Sequence, residues 1–84
     1  MKITRASQLS QCLKNYRLQA SLSQEKVADK VGIRQDTVSN FELSPESTRL
    51  ETLFKILSAL NLELDVRPRG SEKTTQNEGW QEEW

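Results

Sequence analysis

The residues best suited to specific chemistry in this 84-residue chain lie close together, between positions 34 and 40. Six of these seven side chains carry hydrogen-bonding or charged groups: Arg34, Gln35, Asp36, Thr37, Ser39 and Asn40. Arginine, amide and hydroxyl side chains are the types that hydrogen-bond to base edges in the major groove of DNA. The segment therefore predicts a surface that reads a nucleotide sequence.

Groups for catalysis or metal binding are scarce in the same chain. It has no His, which is the commonest general base and the commonest metal ligand in proteins. Cys12 is its single cysteine, and we expect it to be a small buried apolar residue of a helix rather than a redox centre. The carboxylates are scattered without a recognisable ligand spacing. The composition therefore predicts a protein that is not an enzyme and that needs no metal or cofactor.

Two short helices that meet at a tight turn are predicted to position the polar surface, over residues 24–31 and 34–41. Ser23 precedes the first of them as an N-cap, and Gly32 provides the left-handed backbone conformation that the turn requires. Ala28 is small at the point where the two helices would cross. The apolar contacts of the pair are assigned to Val27, Val31, Ile33, Val38 and Phe41. This pattern leaves the polar side of the second helix exposed.

Two further helices are predicted to complete the core. The first has Ser7 as its N-cap, and helical spacing assigns its apolar face to Leu9, Leu13, Tyr16 and Ala20. The last runs from about residue 49 to residue 61, with an apolar stripe made of Leu50, Leu53, Phe54, Ile56, Leu57 and Leu60. Pro45 is expected to keep the intervening loop, residues 44–48, from being helical. These segments predict a mostly α domain of four helices.

After the last helix the sequence pattern changes from helical to alternating. Leu62, Leu64 and Val66 share one face, which predicts a strand that Pro68 closes. A strand needs a partner for its backbone N–H and C=O groups, and no other segment alternates in this way. We therefore predict a homodimer in which residues 62–68 pair across a two-fold axis. The alternative is an extended arm packed on the core of its own chain.

The last part of the chain differs from the rest in composition and charge. Residues 69–84 are rich in Gly, Ser, Thr, Gln and Glu, with two basic and four acidic side chains, whereas residues 1–68 have ten basic and eight acidic ones. We predict one domain over residues 1–68 and a disordered acidic tail over residues 69–84. The tail contains Trp80 and Trp84, and a buried tryptophan is a common hot spot of interfaces. The plain alternative is an exposed terminus without a partner.

The location of the protein follows from two further properties of the sequence. No apolar run is long enough to cross a membrane, and the N-terminus lacks the hydrophobic region of a signal peptide. A soluble, cytoplasmic protein is therefore expected. The whole chain has 12 basic and 12 acidic residues, so its net charge gives no hint of a polyanionic partner.

The run SQEKVADKVGIRQDTVSNFE resembles the helix-turn-helix of the Xre or Cro/C1-type repressors, and the similarity extends over about residues 7–66. It implies a lambda-repressor-like fold in a bacterial, nucleoid-associated protein. The resemblance assigns contacts with the DNA bases to Arg34, Gln35, Asp36, Ser39 and Asn40. It assigns contacts with the DNA backbone to Ser23, Gln24, Lys26 and Thr37, with Gln24 also bracing the recognition helix. Arg17 and Glu42 are expected to form a structural ion pair.

These assignments have ordinary alternatives, and for Gln24 and Gln35 the alternative is a solvated helix residue. Asp36 can accept a hydrogen bond from the amino group of cytosine, but its carboxylate repels phosphates. It therefore either reads a base, excludes wrong sequences, or simply faces solvent. Lys26 is expected beside the DNA backbone, although a lysine at helical spacing is more often part of a solvated face.

The run VSNFELSPESTRLETLFKILSALNLELDV, followed by a polar tail that ends in Trp, is similar to the HipB-type antitoxins. The resemblance implies repression of the protein's own operon and binding of a HipA-like kinase toxin. It also implies that residues 62–68 form a β-lid shared by the two subunits and that Trp84 inserts into the toxin, with Trp80 as a second candidate. Two recognition helices about 34 Å apart would bind an inverted-repeat operator in double-stranded DNA.

Two other functions fit parts of the same sequence. A stand-alone phage-type or restriction-modification controller repressor would share the helix pair and the dimer but would have no toxin partner. A protein-interaction adaptor that retained the fold without DNA binding is supported only by Asp36 and by the modest positive charge of residues 1–68.

Overall fold

The computed structural model describes residues 2–69. This part of the chain contains four α-helices and one short 3₁₀ helix. The α-helices are α1 (Ala6–Gln19), α2 (Gln24–Val31), α3 (Gln35–Leu43) and α4 (Leu50–Ala59), and the 3₁₀ helix is Pro45–Ser47. The mostly α, four-helix architecture predicted from the sequence is confirmed. None of these helices is long and apolar enough to span a membrane.

Helix α2 and the turn that follows it form as the local sequence predicts. The Ser23 side chain accepts a hydrogen bond from the backbone N–H of Lys26 at 3.0 Å, which caps the helix. Gly32 ends the helix at φ +72°, and a Cβ added at Gly32 would meet no atom within 4 Å. Glycine is therefore favoured here by its left-handed backbone and not by a lack of space. Helix α3 begins one residue after the predicted start, with Arg34 as its N-cap.

Helix α1 begins earlier than predicted. Its N-cap is Arg5, and Ser7, which we had expected as the N-cap, lies within the first turn. The backbone N–H of Thr4 donates to Oε1 of Gln8 at 2.7 Å, so the side chain of Gln8 satisfies a donor that precedes the helix. The prediction for Ser7 was wrong because a glutamine in the first turn can hydrogen-bond back to the chain before the helix.

The core combines residues from all four helices. Its buried members are Leu13, Val27, Ala28, Val38, Phe41, Leu53, Ile56 and Leu57. Val27 of α2 and Val38 of α3 are the largest fully buried side chains, so the contact between the two helices lies at the centre of the core. The orientation of α3 is therefore fixed by the same burial of apolar surface that stabilises the domain.

Four residues of the predicted apolar stripes are exposed. They are Tyr16 on α1, Ala20 directly after α1, and Leu50 and Phe54 on α4, of which Leu50 is 71% and Phe54 52% exposed. Cys12, predicted to be buried, is half-buried. These predictions were wrong because helical spacing identifies an apolar face without indicating which other surface covers it.

The segment between α3 and α4 contains a helical turn that the sequence analysis had excluded. Pro45 is the first residue of the 3₁₀ helix, in which the N–H of Thr48 donates to the carbonyl oxygen of Pro45 at 3.0 Å. Proline suits the first position of a helix because it has no N–H to leave unsatisfied there. The prediction that Pro45 prevents helical structure was therefore wrong.

After α4 the chain turns at Asn61, whose φ is +61°, and the N–H of Leu62 donates to the carbonyl oxygen of Leu57 at 2.8 Å. Residues 62–68 have no regular secondary structure in the single chain, and the strand remains a prediction that needs a second copy. The expectations for the tail from residue 70 onward, including those for Trp80 and Trp84, lie outside the described residues.

Candidate nucleic-acid interface

Helix α3 presents one polar side to solvent and one apolar side to the core. Arg34, Gln35, Asp36 and Asn40 are exposed, and Thr37 and Ser39 are half-buried. Val38 and Phe41 are buried on the opposite side of the helix. The six residues between positions 34 and 40 that were predicted to face DNA are therefore at least partly accessible, and we refer to them as the α3 face.

A buried ion pair connects the end of α3 to α1. Arg17 donates from Nε to Oε2 of Glu42 at 2.7 Å and from Nη2 to Oε1 at 3.1 Å, with side chains only 10% and 6% exposed. The third guanidinium nitrogen, Nη1, donates to the carbonyl oxygen of Leu22 at 2.8 Å. One arginine thus holds together α1, α3 and the turn before α2, and it makes the pair expected from the resemblance.

Two glutamines extend this ion pair to the α3 face. Gln24 donates from Nε2 to Oε1 of Glu42 at 2.9 Å, and Gln35 donates from Nε2 to Oε1 of Gln24 at 2.6 Å. Because an ionised carboxylate only accepts hydrogen bonds, Gln24 must direct its nitrogen to Glu42 and its oxygen to Gln35. The buried Glu42 therefore determines the amide orientation of both glutamines.

This arrangement leaves defined groups of Gln35 available. One N–H of its amide is used by Gln24, and the other N–H and the oxygen Oε1 make no hydrogen bond to residues 2–69. The exposed side chain offers one donor beside one acceptor, and its position is fixed from behind. Sequence reasoning had assigned a bracing role to Gln24 but had missed its two partners, which are 18 and 11 residues away along the chain.

Arg34 and Asp36 form a second, loose pair at the start of α3. Nη2 of Arg34 lies 3.9 Å from Oδ2 of Asp36, with side chains 83% and 75% exposed. A pair this exposed contributes little to stability. Asp36 lies in the first turn of α3, where the helix dipole favours a negative charge. The carboxylate is therefore on the accessible side of the helix, beside the arginine.

The residues predicted to contact the DNA backbone lie on the first turns of α2 and α3. Ser23 and Lys26 are exposed, Gln24 is half-buried within the glutamine chain, and Thr37 is half-buried. Backbone N–H groups at helix N-termini and cationic side chains are both suited to phosphate oxygens. Among the described residues, no group of three or more Asp, Glu, Cys or His side chains could hold a metal ion.

A second accessible surface of the molecule is apolar. A groove of about 650 Å³ runs along α1, and the residues that line it include Ile3, Leu9, Cys12, Tyr16, Leu64 and Val66. A smaller groove, of about 410 Å³, is lined by Phe54, Ser58, Asn61 and Leu64, among others. We refer to the residues around the two grooves as the apolar face. Leu64 lines both grooves, so the apolar side of the predicted strand borders on each of them.

A tight helix pair whose second helix is exposed, polar and braced from behind is the geometry of a DNA-binding helix-turn-helix domain. The helix-turn-helix family HTH_3 matches residues 13–66. The chain is 41% identical over 78 residues to antitoxin HipB of Escherichia coli K12, covering 89% of each chain. It is 43% identical over 65 residues to antitoxin HipB of Escherichia coli O6:H1, covering 77% of this chain and 69% of that one. The protein belongs to the HipB family of helix-turn-helix antitoxins.

Solved structures of HipB have the same fold. A HipA–HipB–O2–O3 complex superposes with a TM-score of 0.81 at 40% identity, over 82% of this chain and 97% of the HipB chain. A HipB–O1–O2 complex gives a TM-score of 0.79 at 41% identity, over 81% of this chain and 99% of that one. The resemblance recognised in the sequence is confirmed.

Proposed function

We propose that this protein is a homodimeric, sequence-specific repressor of its own operon and an antitoxin that binds and helps to neutralise a HipA-like serine/threonine kinase. The observation that carries the proposal is the α3 face, which is exposed and braced by the buried ion pair, in a member of the HipB family. The α3 face is a row of accessible hydrogen-bonding side chains, and Gln35 in this row is held from behind by Gln24. Such a row is suited to a duplex whose base edges present donors and acceptors at fixed positions.

In the proposed complex α3 enters the major groove. Arg34, Gln35, Asp36, Ser39 and Asn40 contact base edges and determine the sequence preference. Ser23, Gln24, Lys26 and Thr37 contact phosphates, which supply much of the affinity and its dependence on salt. In the free protein Gln24 is engaged on both sides, so its contact with DNA is limited to the hydrogen-bonding capacity that Glu42 and Gln35 leave unused.

Gln35 is assigned to an adenine. Adenine presents an acceptor, N7, beside a donor, N6–H₂, in the major groove. The free N–H and the free Oε1 of Gln35 are the complementary pair, and the hydrogen bond to Gln24 keeps them in place. A glutamine held in one orientation loses less side-chain entropy when it binds than a mobile one.

The apolar face supports the proposed dimer. In a single chain Phe54 and Leu64 are about half exposed and Val66 is almost fully exposed, although each is a large apolar side chain. A second copy would cover them if residues 62–68 paired with their equivalents in an antiparallel lid. The burial of apolar area would stabilise the pairing, and the two-fold axis would direct both α3 faces to one inverted repeat.

Residues 1–68 are proposed as the DNA-binding and dimerisation domain and residues 69–84 as the acidic tail that reaches the kinase through Trp84 or Trp80. HipA and HipB occur together in one of the solved structures, which supports a partner of this kind. The proposed site of action is the bacterial cytoplasm, on the nucleoid. A chain that ends at Gly79 should bind the promoter as before and bind the kinase more weakly. Unchanged affinity for the kinase would exclude the two tryptophans as anchors.

The proposal as a whole is tested by fluorescence anisotropy with the duplex upstream of the protein's own gene and with a shuffled duplex of equal length. The promoter should bind at least about 10³-fold more tightly than the shuffled duplex, and both affinities should fall as the salt concentration rises. Equal affinities, or no binding to either duplex, would favour an adaptor. A HipA-like kinase encoded beside this gene that does not bind the protein would favour a stand-alone repressor.

A further inference from the structure

We infer that Arg34 and Asp36 act as one unit that reads a single G·C base pair in each half of the operator, with Asp36 as the residue that rejects an A·T pair in which adenine replaces the guanine. The inference rests on the proposed function and extends it to one defined base pair. Its starting point is a cation and a carboxylate that lie 3.9 Å apart, both largely exposed, at the end of the helix that would enter the groove.

The two side chains are held near each other by the local backbone. Arg34 is the N-cap of α3 with an extended conformation, φ −87° and ψ 149°, and Asp36 is two residues further on, in the first turn. The gap of 3.9 Å exceeds ordinary hydrogen-bond length, so the pair is only loosely closed in the free protein. Both groups therefore keep most of their hydrogen-bonding capacity for another molecule.

The order of groups on this pair matches one type of base pair. Across the major groove a G·C pair presents the acceptors N7 and O6 of guanine and then the donor N4–H₂ of cytosine. Because N4 and O6 are hydrogen-bonded to each other, they lie only about 2.9 Å apart. A guanidinium on N7 and O6 and a carboxylate on N4 would thus meet adjacent atoms. The separation of Arg34 and Asp36 requires only a small adjustment to fit them.

The same pair is unsuited to an A·T pair in which adenine replaces guanine. There the groove presents an acceptor, then the N6–H₂ donor of adenine, then the O4 acceptor of thymine. The guanidinium would face a donor, and the carboxylate of Asp36 would face an oxygen. The reverse pair, T·A, offers O4 to the guanidinium and N6–H₂ to the carboxylate but lacks the second acceptor that N7 of guanine provides. The carboxylate also repels the phosphates of any duplex, and only a base amino group at the position of cytosine N4 offsets that repulsion. Asp36 should therefore lower affinity for all DNA and lower it least at the correct base pair.

The test is a set of operator duplexes in which each base pair of a half-site is replaced in turn, measured by anisotropy with the full-length protein. For the wild-type protein, replacing one G·C pair by A·T should weaken binding about 10-fold or more. Asp36→Ala should reduce that preference by at least about 3-fold, to the part that the guanidinium of Arg34 supplies, and should bind shuffled DNA more tightly than the wild type. Asp36→Asn should tolerate A·T at this position, because its amide N–H can donate to O4 of thymine. Glu51→Gln, which also removes one exposed negative charge but on α4, is the control and should change no base preference.

The joint action of the two residues is tested with Arg34→Ala and with the double variant. Arg34→Ala should lose preference at the same base pair as Asp36→Ala, and the double variant should lose less than the sum of the two single losses. Circular dichroism should show that each variant stays folded, since both side chains are exposed. Full preference in Asp36→Ala, or loss of preference at two different base pairs, would overturn the inference and leave the proposed function intact. Wild-type protein that binds promoter and shuffled DNA equally would overturn both.

Discussion

The α3 face and the apolar face are both accessible in the single chain, but they are supported in different ways. Behind the α3 face lie the Arg17–Glu42 ion pair and Gln24, and together they hold Gln35 of that face in place within one chain. The apolar face has two open grooves, and residues 62–68 beside them have no regular secondary structure in the single chain. The first surface is ready for a ligand, whereas the second is complete only with another copy of the chain.

The largest expected effect comes from removing the support behind the α3 face. Glu42→Ala leaves the guanidinium of Arg17 buried without its counter-charge, which should lower the free energy of unfolding by about 3–5 kcal/mol. Urea unfolding measures this change. The double variant Arg17→Met with Glu42→Leu should recover most of the stability, because burial of apolar groups replaces a pair that is expensive to desolvate.

The same double variant separates stability from recognition. It lacks the carboxylate that orients Gln24, so its affinity for the operator should be lower than that of the wild type although its stability has returned. Operator binding equal to that of the wild type would contradict the proposal that the buried pair positions the α3 face through the glutamines.

The next effect concerns the apolar face. Phe54→Asp places a charge in the groove beside Leu64 and should prevent dimerisation, while the core, to which Phe54 does not belong, stays intact. Sedimentation should show a monomer. Affinity for a full inverted repeat should fall about 100-fold, since the two half-sites would no longer be bound by one molecule.

The control for this variant is Leu18→Asp, which introduces the same charge at an exposed leucine that lines neither groove. It should remain dimeric and bind the full repeat as the wild type does. A dimeric Phe54→Asp protein with full affinity would show that the copies meet elsewhere.

A smaller effect is expected for the chemistry of the α3 face itself. Gln35→Ala should weaken operator binding by about 1–3 kcal/mol, and the loss should be confined to duplexes that keep the adenine at one position of each half-site. Thermal unfolding should be almost unchanged because Gln35 is exposed. An equal loss on every duplex would indicate a contact with the DNA backbone instead of with a base.

The smallest effect is at the turn that joins α2 to α3. Gly32→Ala should lower stability by about 1–2 kcal/mol, because a Cβ disfavours the left-handed backbone while no neighbouring atom crowds it. Thermal unfolding with Gly32→Asn as a milder companion measures this. A loss well above 3 kcal/mol would show that the position is crowded as well as left-handed.

The two faces also differ in how far the sequence predicts them. Ser23 and Gly32 act through the few residues around them, so the helix pair and the exposure of residues 34–40 could be predicted from local rules. The apolar face could not, because the spacing of Tyr16 and Phe54 resembles that of buried residues and only the assembled helices show that residues 2–69 leave about half of each side chain exposed. The link from Gln35 to Gln24 and Glu42 joins residues 11 and 18 positions apart, which only the tertiary fold brings together.

The proposed function requires above all that the α3 face is the surface that binds DNA. Titration of isotopically labelled protein with the promoter duplex, followed by backbone amide NMR spectra, tests this requirement directly. The largest chemical-shift changes are expected at residues 34–40 and at the first turn of α2, with small changes around Cys12 and Tyr16 in the groove along α1. Large changes along that groove with residues 34–40 unaffected would contradict the proposed function.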